Sequence, residues 1–199
     1  MLRIHRSGIT ALALLLLAAG SVPGRALATD NKPPAAGAQP AYADDEVIRA
    51  ANDFFKNGAA DLGKVLTKVL REKGQPVAFI RGEEAGGAIG VGVRYGHGDL
   101  VYKGGAGRKV YWQGPSVGFD LGANAVKVFA LVYDLPTSER LYRRFPGVEG
   151  SLYFVGGFGV NYVQADKTVI APVRFGVGWR QGIAISYMHF SPKKRINPF

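Results

Sequence analysis

Ala88-Ile89-Gly90-Val91-Gly92-Val93-Arg94-Tyr95-Gly96-His97 alternates with a period of two. Ile89, Val91, Val93, Tyr95 and His97 project to one side of an extended chain; Ala88, Gly90, Gly92, Arg94 and Gly96 project to the other. Ser116 to Ala125 repeats the pattern, with Val117, Phe119, Leu121, Ala123 and Ala125 on one face. Lys127 to Asp134 is a more continuous apolar strand, and Ser151–Val163, Thr168–Arg180 and Gly182–Phe190 alternate again. Turn signals bound these runs, among them Gly96-His97-Gly98-Asp99, Gly104-Gly105-Ala106-Gly107, Gln113-Gly114-Pro115 and Ala165-Asp166-Lys167. The glycines indicate how the strands assemble. The chain has 28 of them, many inside strands, where glycine normally weakens a sheet. It belongs there when a strand must bend sharply or pass close to another backbone. A small closed barrel needs both. The expected fold is therefore mainly β, a small closed antiparallel β-barrel. The motif Val-Gly-x-Arg-x-Gly at Val91–Gly96 and Val177–Gly182 would mark equivalent barrel corners. Phe79, Ile89, Phe119, Phe129, Tyr153, Phe154, Phe158, Phe175 and Trp179 would fill the interior or line a pocket for an acyl chain.

Two helices precede the strands. Asp44, Asp45 and Glu46 sit where a helix dipole favours negative charge, and Val47, Ala50, Ala51, Phe54 and Phe55 follow as one apolar stripe. Asn57-Gly58 would end that helix. The second runs from about Ala59 to Lys73, with Leu62, Val65, Leu66, Val69 and Leu70 buried and Lys64, Lys68, Arg71 and Lys73 wet. Gly74 caps it and Pro76 stops it. Its basic face is either the solvent side of a docked helix or a contact for an anionic membrane. A third, short helix is expected near 137–145, with Thr137 as N-cap, Glu139 in its first turn, and Leu141 and Phe145 facing inward at i, i+4.

Outward from the domain, residues 1–28 read as a secretory leader: Arg3, His5 and Arg6, an apolar run from Ile9 to Ala19, and a small-x-small site at Ala26-Leu27-Ala28. Residues 29–43 form a Pro/Ala-rich tether, 44–192 the helix pair and barrel, and 193–199 a basic tail. Cleavage after Ala28 removes three of 25 basic residues, leaving 22 against 15 acidic ones. For an exported chain, that surplus suits anionic envelope polymers better than nucleic acid. Cysteine is absent, so disulfides, thiolate chemistry and cysteine-bound zinc are excluded.

Candidate chemistry is sparse. His97 and His189 stand 92 residues apart with no ligand spacing, so no metal site is expected. Gly86-Gly87-Ala88-Ile89-Gly90-Val91-Gly92 resembles a phosphate loop but runs into strand residues, where a nucleotide fingerprint would open a helix. Asp134, Glu139 and Glu149, with Glu83 and Glu84, offer a hydrolase no selective pair. No cofactor is expected. Arg140, Arg143 and Arg144 are the best polar cluster. They could hold a phosphate or carboxylate bidentately, or pair with neighbouring carboxylates and serve structure alone.

Tyr133-Asp134-Leu135-Pro136-Thr137-Ser138-Glu139-Arg140-Leu141-Tyr142, then Phe145-Pro146-Gly147-Val148-Glu149-Gly150-Ser151 and Tyr153-Phe154-Val155-Gly156-Gly157, make the chain resemble the envelope integrity protein A family from about Asp45 to Pro192. The resemblance implies a small periplasmic β-barrel with packed helices, a role in maintaining the Gram-negative envelope, and no assigned activity. A weaker likeness, from Val77 to Leu135, is to the SYLF lipid-binding module. The expectation is a non-enzymatic periplasmic protein that supports the envelope by binding an anionic lipid, glycan or envelope protein. Its alternatives are an integral outer-membrane barrel and a periplasmic hydrolase acting on envelope material.

Overall fold

The structure, a computed structural model, describes residues 39–56, 60–105, 107–120, 125–175, 184–185 and 187–195. The leader and most of the tether lie outside them. Helix α1 spans Asp44–Phe55 and buries Val47, Ala51 and Phe55. Asp44, Asp45 and Glu46 occupy its first turn, and the Glu46 carboxylate accepts from the Ala43 N–H at 2.7 Å and from Lys103 Nζ at 2.7 Å. Lys56, at φ 54°, ends it in the left-handed conformation; Asn57-Gly58 lies outside the described residues. Helix α2 spans Ala60–Lys73 and buries Leu62, Val65, Leu66, Val69 and Leu70, as its apolar period requires. Gly74 follows at φ 77°, its N–H bonded to Leu70 O.

Among the described residues ten strands form one sheet: β1 (Ala78–Tyr102), β2 (Arg108–Asp120), β3 (Val126–Tyr133), β4 (Arg144–Pro146), β5 (Tyr153–Val155), β6 (Phe158–Val160), β7 (Val163–Ala165), β8 (Thr168–Phe175), β9 (Ala184–Ile185) and β10 (Tyr187–Ser191). Their order is β4-β10-β2-β1-β3-β8-β6-β5, with β7 on β8 and β9 on β2, and the pairings are antiparallel. The sheet curls into an open half-barrel, and this corrects the expectation of a closed one. Between β4 and β7 the described residues carry a single bridge, Gly147 to Val163. Each of those strands is three residues long, and Pro146 has no N–H with which to extend a ladder.

The third helix is also corrected. Ser138–Leu141 is one 3-10 turn, Thr137 makes no side-chain cap, and Arg144–Pro146 pairs with β10 as a strand. Leu141 and Phe145 are both fully buried, so the inward pattern holds although the second of them sits on a strand.

β1 is 25 residues long and doubles back on itself. A Cβ on Gly82 would lie 2.1 Å from His97 O and 2.8 Å from Gly98 Cα; one on Gly98 would lie 2.3 Å from Arg81 O. Those close approaches explain the in-line glycines.

The expected interior is inverted. Ala78, Ile80, Leu100, Val110, Trp112, Val128, Ala130, Val132, Ile170, Met188 and Phe190 face inward. Phe79, Phe129, Phe158 and Phe175, with Tyr153 beside them, lie on the outer face under α1 and α2. Phe79 stacks on Phe129 at 5.0 Å, and Phe55 meets Phe158 edge-on at 5.3 Å. Phe154 is 40% exposed, while Ile89, Phe119 and Trp179 lie outside the described side chains. Both faces of the sheet carry aromatic rings, Trp112, Phe145 and Phe190 within the curl and the phenylalanine cluster outside it, where the two helices cover the rings from water.

The basic face of α2 is engaged locally. Lys64 pairs with Asp61 and Lys68 with Glu72, while Lys68 and Lys73 sit over the Tyr153 and Tyr162 rings at 4.3 and 4.8 Å. Among the described residues, no helix is long and apolar enough to cross a membrane.

Candidate binding face and buried charge cluster

Inside the curl, β1, β2 and β8 bring charged side chains together. Glu84 is 2% exposed, Arg94 5% and Arg174 0%. Glu84 accepts from Arg94 Nη1 at 2.9 Å, from Arg174 Nε at 2.9 Å and from Trp112 Nε1 at 2.9 Å. Arg174 Nη1 also donates to Asn161 Oδ1 at 2.8 Å. The indole is placed by register: Trp112 stands opposite Gly96, and a Cβ there would fall 2.1 Å from its Cε2. The glycine thus gives the ring its seat, an aromatic covering a strand glycine.

Burial pushes the Glu84 carboxyl up. The charges of Arg174 and Arg94 and the hydrogen bonds from Arg174 and Trp112 outweigh it and bring it down to about 2. Desolvation lowers Arg174, with Glu84 opposing, and the guanidinium stays charged. Because the folded value lies below the unfolded 4.5, the cluster's contribution is complete above about pH 5 and is lost as pH falls from 4.5 towards 2. The loss should reach roughly 3 kcal/mol. Urea midpoints measured against pH should be flat near neutrality and fall across that window. A Glu84→Gln variant should lack that component of the slope.

On the opposite side of the sheet, the outer face of β2, β10 and β4, together with the Tyr95–His97 part of β1, lies away from the helix-covered cluster. Strand pairing sets Arg144, His189, Gln113 and Tyr95 side by side in one row. Ser191, Tyr111 and His97 form the next. A cleft of about 330 Å3 opens here, lined by Tyr95, Gly96, His97, Tyr111, Trp112, Gln113 and Ser191 together with Lys194 and Arg195 of the segment that follows β10. Burial, Arg195 and Arg144 hold the His189 imidazole below its ordinary range, so it is neutral at pH 7. Two histidines 92 residues apart in sequence therefore share one surface.

A family model described as envelope integrity protein A matches residues 40–199. The chain belongs to that family. A crystal structure of an uncharacterised beta-barrel-like protein from Brucella abortus is 37% identical, with a TM-score of 0.72, covering 80% of this chain and 99% of that one. No curated protein matches the chain. Membership of the envelope integrity protein A family is consistent with a role in envelope integrity and points to the envelope as its location.

In this envelope integrity protein A fold the three arginines have different neighbours. Arg143 pairs with Asp166 at 2.5 Å, and Arg144 lies over the Tyr187 ring at 5.1 Å. Arg140 is exposed, with no ion-pair partner among the described residues. Only Arg144 sits in a row with the cleft. Of the carboxylates, Glu139 pairs with exposed Arg108 at 3.0 Å, Asp134 and Glu149 are exposed, and Glu83 is exposed while its neighbour Glu84 is the centre of the core. Among the described residues no group of three or more His, Asp or Glu could hold a metal ion.

Proposed function

We propose that this protein is a non-enzymatic periplasmic binding protein that supports the envelope by holding an anionic envelope component in the cleft lined by Lys194 and Arg195. The observation that carries this is the company kept there: Lys194 and Arg195 line one cleft with aromatic and amide residues, and Arg144 stands in the row that crosses it. Cations beside a partly desolvated cleft attract carboxylate or phosphate more strongly than scattered surface charge does. The covered outer face of β3 and β8 supports a water-soluble protein over a membrane-spanning barrel, whose strands would turn an apolar belt to lipid.

Co-sedimentation of the purified protein with isolated envelopes tests this. Wild type should bind, and added salt should weaken binding. Lys194→Gln with Arg195→Gln should reduce the bound fraction about tenfold, since each lost charge-assisted contact is worth about 1 kcal/mol or more. The melting temperature should barely move, because both side chains are exposed. Undiminished binding by the double variant would remove the cleft from the account.

A further inference from the structure

We propose that the ligand of this cleft is an acidic sugar chain. The inference rests on the anion-binding reading above and adds the class of molecule. Three observations carry it.

The first is the shape of the face. Arg144, His189, Gln113 and Tyr95 are directly opposed on four adjacent strands. With strands spaced about 4.8 Å apart, that row runs about 14 Å. Ser191, Tyr111 and His97 run parallel to it two residues along. The result is an elongated strip open at Tyr95, which is 37% exposed.

The second is the chemistry of the strip. Tyrosine rings offer flat apolar area for the C–H faces of a pyranose. The His189 imidazole can donate from one nitrogen and accept at the other, as sugar hydroxyls do, while Gln113 and Ser191, each 3% exposed, form the polar floor, the Ser191 hydroxyl donating to Lys193 O at 2.7 Å. Arg144, Lys194 and Arg195 supply charge for a carboxylate or phosphate carried on the ring. A bilayer would ask instead for exposed apolar side chains beside the cations, and the strip carries hydrogen-bonding groups in that place.

The third is what the other surfaces cannot do. An acyl chain needs a continuous apolar cavity. Among the described residues the inner face is occupied by Trp112, Phe145, Met188 and Phe190 together with Glu84, Arg94 and Arg174. The basic face of α2, the other candidate for lipid, has its lysines on carboxylates and aromatic rings.

Calorimetric titration with oligogalacturonate, neutral maltooligosaccharide, inorganic phosphate and phosphatidylglycerol vesicles separates the possibilities. Oligogalacturonate should bind, and bind at least tenfold more tightly than either maltooligosaccharide or phosphate. Tyr95→Ala and Tyr111→Ala should each weaken it several-fold, in line with about 1 kcal/mol for a lost aromatic contact. Lys194→Gln/Arg195→Gln should bring it down to the neutral sugar's level. Vesicle binding without oligogalacturonate binding would overturn the sugar inference and leave the anionic reading standing. Phosphate binding as tightly as the oligosaccharide would do the same. Equal binding of neutral and acidic sugars would overturn the anionic reading, and no binding to any of the four would overturn both.

Discussion

Glu84→Gln should cost about 3–5 kcal/mol of stability, enough to leave a domain of ordinary stability close to its unfolding midpoint. The side chain is isosteric, so no cavity opens. What disappears is the negative charge facing Arg94 and Arg174 in a site that is 0–5% exposed. A buried guanidinium retains most of its desolvation cost when its counter-charge is removed, and its own pKa is too high for it to neutralise. Arg174→Met should cost less, because it leaves the 2.9 Å pair between Glu84 and Arg94 and the Trp112 bond in place. Urea denaturation of both variants gives the order. If Glu84→Gln proved no worse than Arg174→Met, the carboxylate would not be the hub.

Gly82→Ala should be comparably damaging for a different reason. Its added carbon would meet His97 O at 2.1 Å and Gly98 Cα at 2.8 Å, backbone atoms that cannot rotate away. The two halves of β1 would have to separate, which strains every register built on them. Overpacking typically costs 1–3 kcal/mol, and a clash with backbone belongs at or above about 3. Gly96→Ala should be milder in origin but wider in effect, since it unseats Trp112 and with it the indole bond to Glu84. Gly63→Ala is the control of opposite sign. It lies inside α2 with nothing within 4 Å of the new carbon, so it should stabilise by about 0.5–1 kcal/mol. Thermal unfolding of the three variants should rank them Gly63→Ala, wild type, Gly96→Ala, Gly82→Ala from most to least stable.

These variants also mark where sequence patterning succeeded. Both helices were legible because their apolar stripes, acidic first turns and terminal residues all agree, and α1 and α2 begin and end within a residue of expectation where the ends are described. The alternation of the strands was equally plain, but its sense was not. Tyr95 and His97 alternate with Arg94, Gly96 and Gly98, and alternation alone does not say which set faces inward. The fold turns Arg94, Gly96 and Gly98 inward because Gly96 and Gly98 meet the Trp112 ring and the Arg81–Gly82 backbone there, and because Glu84 makes two arginines tolerable. That compensation links residues ten and ninety positions apart and leaves no local trace. Phe145 misled in another way: burial of Leu141 and Phe145 satisfies a helix and a strand equally, and the free edge of β10 decided for the strand. The cleft was the least visible feature. Its rows exist only because β10 inserts between β2 and β4, gathering residues from 95 to 195 that share no motif.

Replacing the chromosomal copy with one encoding Arg144→Gln, Lys194→Gln and Arg195→Gln together, and scoring survival under a membrane-disrupting detergent with the protein level measured in parallel, puts the binding face itself on trial. We expect wild-type amounts of folded protein in cells as sensitive as those lacking it altogether. Cells that carry the triple variant and survive like the parent would show that this surface is not where the protein meets the envelope.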